Sequence, residues 1–508
     1  MNSISPLNRW SVISFAYGSG HTAPAFLKAS TIIPHTLSHV SSRLNIFSRH
    51  HLYIFTQFCE LLWNESLFDS HRSSSACAVP TPVRRSYLMY AWLYGTISQT
   101  YLFKTFRLHK SVYSFMMSTT VTTTVTPTHY SFIPTLDYTQ SQRPGPERDA
   151  FLASLRDILI NIGFLYLSNH SVSMDAVNKV IAYAPKFFEL RQEIKDSVDF
   201  TRSPAFLGYF NVGGQRVVHA RSGTEGPSPI SETREQFTFA ADRDPKLADG
   251  CPEWAKQDGT GLWPPEEVIP GFKTALVDYY EQVENLSYNF ASLIAESLGL
   301  DPAAFEQWFD KDRKKMQPRV KLMRYPPPTD PSNPKETGID SHEDRGFLTF
   351  LLQASTVAGL EVRNISGEWL PCPPVDGTFV VNLGRALEKV TRGVCMATSH
   401  RVISPPGPEV RYSVPFFSNV SMYVRLADAD PQFPEEVWDM YKARQQKLDR
   451  PVEWAYSNID KQLAGLTRLT YKVKNHPEMG MQYHPVFFKE VFPSGPPPKV
   501  FKVKVVAA

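Results

Sequence analysis

The sequence predicts an α+β protein in which a helical N-terminal part leads into a β-rich core, a jelly roll or a barrel. Three observations predict it. Apolar residues recur at spacings of three and four in three long stretches before residue 300. After Pro318 the texture changes to short β-rich runs. Turn residues separate those runs at close intervals, as a closed or double-sheet architecture requires.

The first helical stretch is "DAFLASLRDILINIGFLYLSNHSV" (149 to 172), with Phe151, Leu155, Ile158, Leu159 and Ile162 on one side, switching at Gly163 to the apolar strand "FLYL". "MDAVNKVIAYAPKFFELRQEIKDS" (174 to 197) reads as a second amphipathic helix, interrupted by Pro185. A third runs from 274 to 300, with Leu276, Val283, Leu286, Phe290, Leu293 and Leu298 as its core face and Gly299 near its end. The strand runs are "RVKLMRYP", "FLTFLLQA", "GLEVRN", "EWLPCP", "TFVVNLG", "HRVIS" and "RYSVPFFSNV", and "ISGEW" supplies a hairpin turn. The last ~80 residues mix helix with Pro-rich coil.

Composition narrows the function. Among 508 residues, 42% are hydrophobic and 20% charged, which describes a globular protein with a large core. A net charge of +3 is too small for this length to mark nucleic acid or an anionic membrane as partner, and no basic patch carries interleaved aromatics. The five cysteines show no CxxC spacing, so a reducing compartment, the cytoplasm, and plain buried thiols are expected. A monomer acting on a small molecule fits this balance.

Charge is unevenly spread. Residues 1 to 136 hold ten Lys/Arg against three acids, a balance of +7 that leaves −4 for the rest. Residues 1 to 116 read as an extension that is disordered or not part of the functional protein, which would begin near Met117. Two other readings compete for it. Residues 1 to 59 are acid-poor, Ser-rich and Arg-bearing like a mitochondrial presequence, and "SYLMYAWLYGTISQTYLF" (86 to 103) approaches membrane-spanning length, though Ser, Thr, Gln and Gly dilute it. The expected organisation is this extension, an N-terminal region at 130–250, a helical connection at 251–316, a core at 317–425 and a C-terminal segment at 426–508.

Chemistry concentrates in "SHEDRGF". On a strand, alternate residues share a face, so His342 and Asp344 can reach one ion while Glu343 points away. Two ligands hold a divalent metal poorly, and His400 in "ATSHRVISPP" is the best third. Two His and a carboxylate on one face of an octahedron leave three positions open, the arrangement of non-haem Fe(II) that binds an organic cosubstrate and O2. Eleven residues after His400, "RYS" puts Arg411 and Ser413 on one face, a guanidinium beside a hydroxyl that suits a carboxylate. Without a complete triad the same β-core would be a non-catalytic binding protein. A zinc hydrolase would have no use for Arg411-x-Ser413.

The run from 317 to 420 resembles the iron(II)- and 2-oxoglutarate-dependent dioxygenases of the isopenicillin N synthase-like superfamily, through "RYPPP", "SHEDRGFLTFLLQ", "GLEVRNISGEWLPCPPVDGTFVVNLG", "SHRV" and "RYSVPFF" in order, with 55 residues between Asp344 and His400. "FIPTLDY", "GFLYLSNHSV", "GYF" and "REQFTF" resemble its N-terminal region. The resemblance implies a double-stranded β-helix (jelly-roll) core with flanking N-terminal helices. It further implies His342, Asp344 and His400 as iron ligands, Arg411 and Ser413 on the distal carboxylate of 2-oxoglutarate, and Tyr325 as a hydrogen-bonding partner of the cosubstrate. The implied reaction consumes O2 and 2-oxoglutarate, releases succinate and CO2, and hydroxylates, desaturates or cyclises a small organic metabolite, largely hydrophobic, of secondary metabolism. An oxidase like isopenicillin N synthase, which does not use 2-oxoglutarate, remains the alternative. The chain departs from the family's pattern at Met323 and Arg324, where Asn and Tyr are common, at Ser171 and at Arg385, the last two read as scaffold changes. Phe206, Tyr209, Phe210, Phe237 and Phe239 are core residues first and pocket residues second.

Overall fold

The computed structural model describes residues 130–211, 234–243, 252–328, 337–404, 407–448 and 456–495. The expectations for residues 1 to 116, including the presequence, the span at 86–103 and the start at Met117, lie outside the described residues. Among the described residues no helix is long and apolar enough to cross a membrane.

A short strand β1 (Thr135–Asp137) precedes helix α1 (Pro146–Asn161), which starts with Pro at its first position and Glu147 and Asp149 in its first turn. Both features suit a helix N-terminus, where a missing N–H costs nothing and negative charge meets the positive end of the dipole. Gly163, at φ +65°, turns the chain into β2 (Phe164–Ser168), as the switch in sequence texture predicts. Helix α2 (Met174–Phe188) is capped by the Ser173 hydroxyl, which accepts from the Ala176 N–H at 3.2 Å. Pro185 does not interrupt it. The ring sits in the last turn, where only one intrahelical bond is lost, and the break falls later, before α3 (Gln192–Ser197).

Strands β3 (Gly208–Phe210) and β4 (Glu235–Phe239) lead to helix α4 (Phe272–Ser297). Its buried Leu276, Tyr279, Tyr280, Val283, Leu286, Phe290 and Ile294 follow the three-four spacing of the predicted core face. Then come β5 (Arg319–Tyr325), β6 (Thr337–His342), β7 (Leu348–Gln353), β8 (Leu360–Arg363), β9 (Trp369–Pro371) and β10 (Thr378–Leu383). The short helix α5 (Arg385–Val390) and strands β11 (His400–Ile403) and β12 (Arg411–Ser418) complete the core, followed by helices α6 (Glu435–Lys447), α7 (Ala464–Asn475), α8 (Pro477–Tyr483) and α9 (Pro485–Val491). All seven predicted strand runs form strands. The β8–β9 hairpin turns at Gly367, whose φ of +85° is open to glycine.

Two sheets result, one of eight strands in the order β1-β2-β10-β7-β12-β5-β4-β3 and one of four in the order β6-β11-β8-β9. This is the jelly-roll arrangement expected. Alternation along the large sheet decides what each side chain meets. On one face Phe350 and Phe416 meet Phe290 and Tyr280 of α4, with ring centroids 5.8 and 5.6 Å apart; each buried ring contributes about 2 kcal/mol through lost water contact. On the other, Lys321, Met323, Tyr325, Thr349, Leu351, Arg411, Ser413, Pro415 and Phe417 turn toward a cavity. A second apolar cluster joins Phe206, Phe210 and Trp254 to Leu469, Val473 and Phe488 of the C-terminal helices.

Gly163 and Gly377 share a left-handed backbone, φ +65° and +69°, but a Cβ on Gly163 would lie 2.1 Å from the Met396 carbonyl oxygen whereas one on Gly377 meets nothing within 4 Å. Gly377→Ala should therefore cost about 1 kcal/mol from backbone strain alone, and Gly163→Ala about 3 kcal/mol. Urea unfolding at unchanged slope checks both, and equal midpoints would show that the contact with Met396 is irrelevant.

Candidate metal centre and its cavity

Two histidines meet because β11 pairs antiparallel with β6 in a register that sets His400 opposite His342, their ring centroids 4.3 Å apart. His342 Nδ1 lies 2.8 Å from the Asp340 carbonyl oxygen and His400 Nδ1 3.1 Å from that of Thr398. A carbonyl only accepts, so each Nδ1 carries the proton and each Nε2 keeps its lone pair. Both Nε2 atoms face Asp344 Oδ1, at 3.8 and 4.0 Å. His342, Asp344 and His400 offer ligand atoms all within 4.8 Å of one another, a group that could hold one metal ion.

Strand alternation does not carry this geometry, contrary to the sequence argument. Strand β6 ends at His342, and Asp344 lies in the loop that crosses from the small sheet to β7. What aims Asp344 is hydrogen bonding: Oδ2 accepts from the Thr349 hydroxyl at 2.6 Å and the Asn382 amide at 2.9 Å, which leaves Oδ1 for the histidines. The loop backbone is held as well, since the Asp344 carbonyl accepts from the Arg385 N–H and that of Gly346 from the Ala386 N–H. Gly384 allows this approach, because a Cβ there would lie 2.0 Å from the Gly346 oxygen. The Arg385 side chain pairs with Glu343 at 3.0 Å and with Glu388 at 3.1 Å, so it touches no candidate ligand.

Electrostatics follow from enclosure. Burial would raise the Asp344 carboxyl, but His400, His342 and the bonds from Asn382 and Thr349 hold it below the usual carboxylate range. Burial, with His400 beside it, pushes His342 down, which favours the neutral ring that a metal requires.

A cavity of about 290 Å³ opens from this cluster between the sheets and is also lined by Tyr325, Arg411 and Ser413. Arg411 is 1% exposed, and burial pulls its guanidinium below the ordinary value. Its Nη2 donates to Gln353 Oε1 at 3.2 Å, and Gln353 is fixed in turn by donating to the Cys372 carbonyl at 3.1 Å. Among the described residues Nε and Nη1 have no hydrogen-bond partner. The guanidinium carbon lies 4.9 Å from the Tyr325 ring centroid, and the Tyr325 hydroxyl is 3.5 Å from Ser413 Oγ and 3.4 Å from the Met323 sulfur. An arginine buried this deeply with two unpaired donors suits an anion held in the cavity. Burial meanwhile pushes the neighbouring Cys372 thiol up to about 12, so it offers no charge to Arg411.

Every candidate named from the sequence, His342, Asp344, His400, Arg411, Ser413 and Tyr325, thus lines one cavity. The aromatic set does not: Tyr209, Phe237 and Phe239 belong to the main core, and Phe206 and Phe210 to the C-terminal cluster. Sequence reasoning missed Thr349, Gln353 and Asn382. Each stands as a polar residue in an otherwise apolar strand, a signal that was available.

Comparison with known proteins adds to this geometry. Residues 317–420 match the 2OG-Fe(II) oxygenase superfamily and residues 133–266 the family described as non-haem dioxygenase in morphine synthesis N-terminal. The chain is 33% identical over 357 residues to the 2-oxoglutarate-dependent dioxygenase frbJ of Dothideomycetidae sp. (strain 11243), covering 70% of this chain and 92% of that protein. It is 31% identical over 372 residues to a 2-oxoglutarate-dependent dioxygenase of Gibberella zeae, with the same coverage. A crystal structure of a full-length Neurospora crassa protein in complex with alpha-KG shares the fold, with a TM-score of 0.50 at 24% identity over 62% of this chain and 96% of that one. The chain belongs to the 2OG-Fe(II) oxygenase superfamily and is a 2-oxoglutarate- and iron(II)-dependent dioxygenase.

Proposed function

We propose that His342, Asp344 and His400 are the iron ligands of this dioxygenase and that Arg411 and Ser413, with Tyr325 beneath them, take the distal carboxylate of 2-oxoglutarate. The observation that carries the reading is Arg411, buried with two unpaired N–H donors in the same cavity as the His-Asp-His cluster. The fit is chemical as well as spatial. Neutral imidazole nitrogens and a carboxylate oxygen are the donor set of Fe(II), and a guanidinium beside a hydroxyl is one for a carboxylate. When bound, iron(II) and 2-oxoglutarate supply activation of O2, coupled to release of succinate and CO2 and to oxidation of a C–H bond in the substrate.

The chain's own residues orient and enclose. The Asp340 and Thr398 carbonyls fix the tautomers of His342 and His400, while Thr349 and Asn382 hold the Asp344 carboxylate by one oxygen so that the other stays free. Gln353 anchors Arg411 by one nitrogen and leaves its remaining donors for the cosubstrate. Phe164 packs edge-on against His400 at 5.2 Å and, with Leu351 and Pro415, gives the cavity an apolar stretch of wall. Met323 stands beside Tyr325 where relatives carry Asn, so the cosubstrate's contacts on β5 fall to the Tyr325 hydroxyl. The free, buried Cys372 and Cys395 support the cytoplasm as its compartment.

Anaerobic titration of the full chain with Fe(II) and 2-oxoglutarate should give the weak metal-to-ligand absorption band. His342→Ala should abolish it; a band that forms equally well in that variant sinks the ligand assignment. Asn382→Ala and Thr349→Val should each weaken iron binding about 10- to 100-fold, read by competition with a chelator. Arg411→Met should raise the stability of the cosubstrate-free protein by about 1 kcal/mol, because a buried charge with unpaired donors is removed, and should cancel the stabilisation that 2-oxoglutarate gives the unaltered chain. Thermal melts with and without 2-oxoglutarate check both halves. Substrate-dependent release of labelled succinate separates this enzyme from an oxidase that does not consume 2-oxoglutarate.

A further inference from the structure

Glu343, between His342 and Asp344 in sequence, reaches the segment that carries the third proposed ligand. Its Oε1 accepts from the Ser399 hydroxyl at 3.2 Å and its Oε2 from Arg385 Nη1 at 3.0 Å. Ser399 directly precedes His400, so one carboxylate ties the two ligand-bearing segments together. Arg385, at the start of α5, also pairs with Glu388 Oε2 at 3.1 Å, and Glu388 Oε1 accepts from the Ala397 N–H at 3.2 Å. The Arg385 N–H meanwhile donates to the Asp344 carbonyl at 2.7 Å. The first turn of α5 therefore grips both sides of the metal centre, Glu343 and Asp344 on one and Ala397 on the other.

The strand ladder does not do this by itself. His342 is the last residue of β6 and His400 the first of β11, and the register shifts between His400 and Val402 and again before Ile403. The two histidines are thus paired at the end of an irregular ladder, where backbone bonding constrains least. The Glu343–Ser399 contact carries the pairing one residue further, with side chains where the ladder has stopped. Burial pushes the Glu388 carboxyl up and Glu343 adds to the rise, while Arg385, the Ala397 N–H and Lys389 oppose it. Arg385 thus holds side by side two carboxylates that would otherwise repel.

We propose that Glu343 is a positioning residue of this dioxygenase: anchored by Arg385, it sets the separation of His342 and Asp344 from His400, and with it the geometry offered to iron(II). This rests on the assignment of those three residues as iron ligands and extends it. Arg385, a departure from the family's pattern that reads in sequence as a scaffold change, acts on the site through this one contact. The Arg385 and Glu343 side chains are 41% and 34% exposed, so their ion pair adds little to the stability of the chain as a whole. Its effect falls on the metal centre, where a displacement of about 0.5 Å is enough to matter.

The test uses the full chain, with Fe(II) affinity read by competition with a chelator and the visible bands of the Co(II)-loaded chain as the report on ligand geometry. Glu343→Ala should weaken Fe(II) binding about 10- to 100-fold and shift the Co(II) bands. Glu343→Gln, which keeps the shape and an acceptor for Ser399, should weaken it only about 3-fold. Arg385→Met should weaken it about 10-fold, and Arg385→Lys should recover part of that loss. Glu361→Gln is the control: it removes another part-exposed ion pair of the small sheet, with Arg401 at 2.7 Å, and should leave Fe(II) affinity within about two-fold. The metal-free variants should melt within about 3 °C of the unaltered chain. Unchanged Fe(II) affinity and Co(II) bands in Glu343→Ala overturn the proposal, and so does an equal loss in Glu361→Gln or a fall of more than about 10 °C in the metal-free Glu343→Gln melt, either of which marks a merely structural role. Loss of turnover in Glu343→Ala with iron binding intact also overturns it, and makes Glu343, which lines the cavity, a substrate contact. Failure of the unaltered chain to bind Fe(II) would strike at the ligand assignment itself and overturn the proposal with it.

Discussion

The site depends on one constraint: a carboxylate and two imidazoles must be kept close together inside a cavity where none of them can be solvated freely. Asp344 lies beyond the end of its strand, so the sheet does not aim it. The Thr349 hydroxyl and Asn382 amide do, by occupying Oδ2, while the backbone of Arg385 and Ala386 holds the loop. Each of these contacts comes from a different element, β7, β10 and the start of α5. The Asp344 geometry is therefore a property of the closed core as a whole and is lost if any of the three shifts.

The histidines obey a different rule. Their approach is set by a ladder, since His400 and His342 are register partners in the small sheet, and their tautomers are set by carbonyls only two residues away. The large sheet supplies the opposing wall with a strict division of labour. Its alternate residues pack on α4 as core, and the intervening ones carry Arg411, Ser413 and Tyr325 into the cavity. A buried arginine with two unpaired donors is costly in a ligand-free protein, and a fold maintains it where an anion recovers that cost. Stability is given up locally at Arg411 and supplied by the aromatic packing on the other side of the same strands, such as Phe416 on Tyr280.

Much of this was legible in the sequence because it rests on local periodicity. The three-four spacing of α4, the texture change at Gly163 and the strand runs after Pro318 are short-range patterns, and all are borne out. Pro185 was misread because a proline in a last turn removes one bond and not the helix. The His342-x-Asp344 spacing led to a pair that the fold does bring together, for an incomplete reason: period-two geometry holds only inside a strand, and β6 stops at His342. Thr349, Gln353 and Asn382 were visible as polar residues among apolar ones, but nothing local says which carboxylate or guanidinium they face.

By itself the sequence determined the α+β class, a β-rich core and His342, Asp344, His400, Arg411 and Ser413 as candidate site residues, because residue chemistry and period are written along the chain, and its resemblance to the dioxygenase family implied the jelly roll and Tyr325. Only the tertiary structure decided that His400 stands opposite His342, that Asp344 is aimed by side chains from β7 and β10, and that the C-terminal helix α7 brings Tyr471 under Arg345 at the cavity mouth. Those are contacts between residues from 5 to 126 positions apart. Register and loop closure fix them, and both depend on the whole set of packed elements and not on any one segment.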